Sequence, residues 1–244
     1  MIMEVNRKAI IQQLQQQILV LQGMGRPSSA EPDSLGLGTI EAAFPGGCFP
    51  CGHLHEFICG TVEETAAAAG FIAGLLSRIM KGNACLWISR SAIVFPLGIG
   101  SFNVDPERII FVHSIYENEI IWAMEEALKC SALSAVIAEL PEISFNQSRR
   151  LQLAAEKSNV TGIILRNTPK NAGNTACAAR WQVSHLPSYT EDGLPGVGFP
   201  SWQVKLLKVR NGRPGIFRIV WNGGHFLDLP QPHHNFVFQR QEVG

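Results

Sequence analysis

Five short apolar runs, at 54–59, 84–89, 108–113, 133–138 and 161–166, recur along this chain with stretches of helical character between them at 62–81, 117–130 and 145–158. Such runs are apolar throughout rather than at every second residue, so both faces of each strand must be covered. Strands of that kind alternating with helices fold as an α/β layer structure, with a mostly parallel central sheet and helices on both faces. The pattern changes after residue 177. Segments 178–185, 201–210 and 216–222 read as strands with no helix between them, and Asn211-Gly212-Arg213-Pro214-Gly215 is a turn signal. Antiparallel strands are therefore expected at one edge of the sheet.

The chain has 244 residues, 46% of them hydrophobic and 16% charged, with zero formal net charge. That composition suits one sizeable domain with additions, and its core needs no disulfides. A zero balance gives no overall field toward nucleic acid or membrane. Local charge is uneven: residues 117–142 carry six Glu and only Lys129, whereas the stretch from Ser201 onward carries six Lys/Arg against two Asp/Glu. The apolar run Ala66–Leu76 is too short to span a bilayer, and glutamines interrupt the N-terminal segment, so no signal sequence is expected. No membrane association and a cytoplasmic location are the default.

Residues 4–22 place Ile10, Leu14, Ile18 and Leu21 on one helical stripe, and Gly23–Ser34 is rich in linker residues. The expected organisation is an N-terminal helix and linker (1–34), a core domain (35–225) and a C-terminal tail (226–244). Packing back on the core and docking on a partner would both bury the helix stripe. The tail mixes Phe226, Leu227, Phe236 and Phe238 with prolines, and suits either self-packing or recognition by a partner. Cys48 and Cys51, near His53 and His55, have the spacing of half a zinc site. There is no second pair at matching distance, so they read as turn residues and a buried thiol, and no metal is expected.

Residues 54–72 join an apolar strand through Gly60 and a short turn to a long helix, the layout that presents backbone N–H groups to a phosphate. No Gly-Lys-Ser/Thr follows. Glu63 and Glu64 stand where a lysine would reach the phosphates, and Thr61 with Glu64 forms a capping-box pattern, followed by Thr65. Carboxylates there favour the helix dipole and repel an incoming anion.

Gly46, Gly47, Pro50, Gly52 and Glu56 fall where the RecA recombinase core carries its approach to the nucleotide loop. Trp202–Asn211 and Phe217–Trp221 resemble the last strands of that core. The resemblance covers roughly residues 35–225 and implies a RecA-like fold. Three departures concern the nucleotide site. The lysine and hydroxyl are replaced by Gly60–Thr65, the segment Ser89–Val94 lacks the carboxylate that activates water, and Glu139 stands where an aspartate is expected at the end of the fourth strand. A lone Glu ending a strand reads as a surface residue. Without lysine, hydroxyl and base there is no clamp for phosphoryl transfer, so no catalytic residue, cofactor or ATPase activity is expected.

Pro45-Gly46-Gly47, the Arg149–Glu156 helix and the 202–215 strand and turn resemble the ImuA family more closely. What that resemblance implies is a non-catalytic accessory protein of damage-induced translesion synthesis, acting with an ImuB-like protein, RecA or an error-prone DnaE-type polymerase. A SulA-like cell-division inhibitor and a divergent RecA-type ATPase are the alternatives. Two loops of the RecA core bind single-stranded DNA. Their counterparts here offer Arg149 and Arg150, which equally suit a solvated helix face, and Lys170, so DNA binding is expected to be weak or indirect. Lys205, Lys208, Arg210 and Arg213 add candidate contacts to DNA or a partner. Strict alternation puts Lys205 on one face and Lys208 and Arg210 on the other, which splits this charge. Guarding a sheet edge is the other reading of these cations.

Overall fold

The computed structural model describes residues 34–90, 96–167, 173–190 and 197–229, together with Leu14 in a helical conformation. The rest of the expected N-terminal helix, Lys170 and tail residues 230–244 lie outside the described residues.

Among the described residues nine strands form one sheet: β1 (Leu54–Cys59), β2 (Ala84–Ser89), β3 (Ile109–His113), β4 (Leu133–Glu139), β5 (Thr161–Asn167), β6 (Ala179–Tyr189), β7 (Phe199–Val209), β8 (Gly215–Asn222) and β9 (His225–Asp228). Their order is β3-β2-β4-β5-β1-β6-β7-β8-β9. Pairing is parallel from β3 to β6 and antiparallel from β6 to β9. The helices are α1 (Val62–Ile79), the short α2 (Pro96–Gly100), α3 (Glu117–Leu128) and α4 (Phe145–Ser158). A mostly parallel sheet with helices on both faces and antiparallel strands at one edge matches the expected fold class and is consistent with a RecA-like fold. No helix among the described residues is long and apolar enough to cross a membrane.

Two cores result, one on each face. On one face α1 lays Ala68, Phe71, Ile72, Leu75 and Leu76 against Phe57, Trp87, Ile137, Ile163 and Trp181. On the other, α3 and α4 bury Ile120, Met124, Leu128, Leu151 and Ala155 over Leu54, Val136 and Ile164. The first core runs on under the antiparallel strands through Trp202, Val204, Leu206, Ile219, Trp221 and Phe226. Gly74 of α1 is required there, because a Cβ would lie 2.6 Å from the Phe226 ring.

β9 carries the sheet to Asp228, beyond the expected core limit at 225. Phe226 is buried against Trp221, with ring centroids 4.9 Å apart. The Asp228 carboxylate accepts hydrogen bonds from the Thr39 N–H and hydroxyl. A four-residue strand after a Gly223-Gly224 turn, both glycines at positive φ, is too short to carry a periodic signal.

Candidate functional site

The turn between β1 and α1 is the natural place to look for chemistry, because α1 points its free N–H groups there. Thr61 is the N-cap, and its hydroxyl accepts from the Glu64 N–H at 3.2 Å. The Glu64 carboxylate turns back one residue further than a capping box requires: its Oε2 accepts the Gly60 N–H at 2.6 Å. Its Oε1 accepts from Gln182 Nε2 at 3.0 Å and from Ser184 Oγ at 3.3 Å, both on β6. This carboxylate thus bridges the turn and the neighbouring strand. Thr65 Oγ1 lies 3.0 Å from the Thr61 carbonyl and 3.2 Å from Asn167 Oδ1 at the end of β5, two acceptors that share its one proton. Glu63 is fully exposed, and the Thr61 hydroxyl, then its own backbone N–H, holds its carboxyl below the ordinary range. Cys59, which ends β1, is pushed up to about 12 by burial, so it is a thiol and not a thiolate nucleophile.

Glu139 departs from the expectation of a surface residue. It is 2% exposed at the end of β4, and Trp87 Nε1–H on adjacent β2 donates to its Oε1 at 3.0 Å. Burial raises its carboxyl above the ordinary range, and the Trp87 bond only partly offsets this. The Ser89–Val94 stretch is described only as far as Arg90, which pairs with Glu117 at 3.2 Å.

A second polar centre surrounds Glu56 on β1, which is fully buried. It accepts from Arg166 Nη1 at 2.7 Å, Thr175 Oγ1 at 2.8 Å and Arg180 Nε at 2.8 Å. Arg166 is itself 1% exposed and reaches on to Glu142 at 2.5 Å. These residues anchor the 173–178 segment, together with Lys208 Nζ on the Thr175 carbonyl at 3.2 Å and Arg210 Nη2 on the Ala176 carbonyl at 2.6 Å. Two of the candidate contacts therefore hold the chain's own backbone. The sequence pointed to Glu56 but not to its partners, more than a hundred residues away. A cation closing an apolar strand, as Arg166 does, is the one signal that could have found the centre, since a buried charge demands a counter-charge.

The remaining candidates are dispersed. Arg149 and Arg150 are exposed on α4, and Arg150 pairs with Glu125 of α3. Arg213 is exposed after β7, and its N–H donates to the Ala43 carbonyl. The expectation that Lys205 and Lys208 face opposite ways is overturned. Gln182 pairs with Lys205 and Arg180 with Lys208, with a one-residue slip between, so Leu207 is an extra residue and both lysines face one side.

The cysteine–histidine stretch turns inward. His53 Nδ1 lies 2.9 Å from the Cys51 carbonyl, and His55 Nε2 lies 3.0 Å from the Pro50 carbonyl. Trp181 Nε1–H donates to His55 Nδ1 at 3.3 Å, so Nε2 carries the proton of a neutral ring. Burial lowers the His55 pKa to about 3. Among the described residues no group of three or more His, Cys, Asp or Glu side chains is placed to hold a metal.

No protein-family model matches the chain. It is 33% identical over 195 residues to Protein ImuA from two strains of Caulobacter vibrioides, a match spanning 75% of this chain and 80% of each relative. It is also 28% identical over 105 residues to Cell division inhibitor SulA of Yersinia enterocolitica serotype O:8, covering 43% of this chain and 62% of that protein.

Proposed function

This chain belongs to the ImuA family, and from that membership we propose that it is a non-catalytic, RecA-like accessory protein of damage-induced translesion DNA synthesis, acting by protein contacts in the cytoplasm. The observation that carries the reading is Glu64. At the start of α1, where a nucleotide phosphate would need backbone N–H groups, the chain supplies its own carboxylate to the Gly60 N–H. An entering polyphosphate would have to displace that anion with no lysine in residues 60–65 to offset the repulsion. Glu139, at the position that would hold a metal ion, is instead buried and bonded to Trp87. A scaffold of this kind works through its surfaces.

The partners that fit are an ImuB-like protein, RecA or an error-prone DnaE-type polymerase. Size-exclusion chromatography of the purified chain mixed with each tests this directly. Co-elution with at least one of them at low salt is the expected result, and separate elution from all three removes the proposal. A second reading, inhibition of cell division, is favoured by the SulA likeness alone. Overproduction in cells lacking the mutagenesis proteins separates the two: normal division supports the adaptor, and filaments support the inhibitor.

A further inference from the structure

Register decides where the cations of β7 point, and it gathers them. Directly opposed residues of an antiparallel pair share a face. Lys205 thus stands beside Gln182, Lys208 beside Arg180, and Gln203 between Ser184 and Arg218. This is the side away from Trp181, Val204 and Leu206, which are buried in the core. Among the described residues of β6, β7 and β8, no Asp or Glu occupies it. The carboxylates that reach it are already taken: Glu56 of β1 by Arg180, Glu64 of α1 by Gln182 and Ser184, and Glu156 of α4, at the end of the row, by Arg210 at 3.6 Å. The Lys205 and Arg218 side chains make no hydrogen bond or ion pair among the described residues. They occupy diagonal positions of neighbouring strands, where Cα atoms stand about 7–8 Å apart. Like charges on such neighbouring side chains raise the local positive potential, and an anion laid across both lowers it.

We propose that this face binds the phosphodiester backbone of a nucleic acid. Lys205, Lys208 and Arg218 supply the charge, and Gln203 supplies a neutral donor for phosphate oxygens. The row leads through Lys208 to the Thr175 carbonyl and so to the 173–177 segment. An acidic protein fits less well, because protein interfaces deplete lysine at their centre and concentrate apolar side chains there. Here Lys205 is central, and Ile216, 59% exposed, is its one large apolar neighbour across the β7–β8 pair. Trp, Tyr and Phe are absent from the positions opposed to Lys205, Lys208 and Gln203, so base stacking contributes nothing there. Binding is therefore insensitive to base sequence and steep in salt. This inference does not depend on the adaptor reading.

The test is fluorescence anisotropy of the full chain with a labelled oligothymidylate, and in parallel with a duplex of equal length, across a salt series. Three phosphate contacts predict a slope of log K against log salt of about −2 for the single strand and about −2.7 for the duplex. The tighter of the two identifies the natural form. The double variant K205Q/R218Q should bind the single strand roughly tenfold more weakly at low salt, with its slope reduced by about 1.4. Lys157→Gln, exposed on α4, should leave both values unchanged. A slope near zero in the unaltered protein overturns the proposal whatever the variants do. So does an equal loss in Lys157→Gln, or tighter binding of labelled polyglutamate than of either nucleic acid.

Discussion

Glu56 and Glu64 lie on one continuous strand–turn–helix unit, and several donors hold each carboxylate, but the donors differ in kind. Glu56, deep in the sheet, faces two guanidinium groups and the Thr175 hydroxyl. Glu64, at the helix start, faces a backbone N–H, an amide and a hydroxyl, all neutral. A fully buried carboxylate must be matched by positive charge or it would not ionise there. A carboxylate at a helix N-terminus needs only dipoles, because the free N–H groups already carry partial positive charge. The first arrangement holds the fold together. The second fills an anion position with the protein's own side chain.

That contrast can be broken by substitution. Glu56→Ala leaves Arg166 buried without its main partner, and should cost about 3–5 kcal/mol, the range for removing one member of a buried ion pair. Urea unfolding followed by tryptophan fluorescence measures it. A loss under 1 kcal/mol would mean that solvent or Glu142 compensates, and that the centre is not structural. Glu64→Ala removes a cap and leaves exposed groups that water can satisfy, so its cost should be about 1 kcal/mol. If the two variants lose equal stability, the distinction between these carboxylates fails.

Two buried groups sharpen the same comparison through pH, with opposite signs. The His55 pKa is lowered from 6.5 to about 3, so the unfolded chain binds a proton that the folded one refuses across that interval. Its contribution is complete above pH 6.5 and is lost as pH falls toward 3. Acid unfolding of His55→Phe should therefore be less steep across that window than that of the unaltered protein. The Glu139 carboxyl is raised from 4.5, so the folded form holds its proton more tightly. Its contribution is full below pH 4.5 and is lost as pH rises through its raised value. Glu139→Gln keeps an oxygen acceptor for Trp87 and should flatten that loss, raising relative stability at neutral pH. A variant that instead loses stability at neutral pH would show that the ionised carboxylate is wanted there. The smallest effect belongs to the outer sheet face: K205Q/R218Q, at two half-buried positions, should change stability by less than about 0.5 kcal/mol.

Local pattern made most of the scaffold legible. The apolar runs located β1 and β2 to the residue, and the 145–158 helix coincides with α4 because Ser144 and Gln147 form a reciprocal capping box at its start. Thr61 was legible as a cap from its spacing to Glu64, although that carboxylate bonds the Gly60 N–H and so does not close a reciprocal box. What stayed hidden depends on contacts made after the strands pair. The bulge at Leu207 exists only relative to β6, so alternation counted along β7 alone put Lys208 on the wrong face. Glu139 looked like a strand-end surface residue because nothing nearby in sequence announces Trp87 fifty-two residues earlier. The reach of Glu64 to Gln182 and Ser184 was hidden likewise, and it is this reach that turns a cap into a brace between α1 and the antiparallel strands.

The central claim is that the Glu64 carboxylate leaves no place for a polyphosphate between Gly60 and α1. Isothermal titration calorimetry of the full chain with magnesium ATP addresses it most directly. The account predicts no saturable heat for the unaltered protein. Magnesium-dependent binding that saturates at one nucleotide per chain, and that Thr65→Ala abolishes, would contradict it.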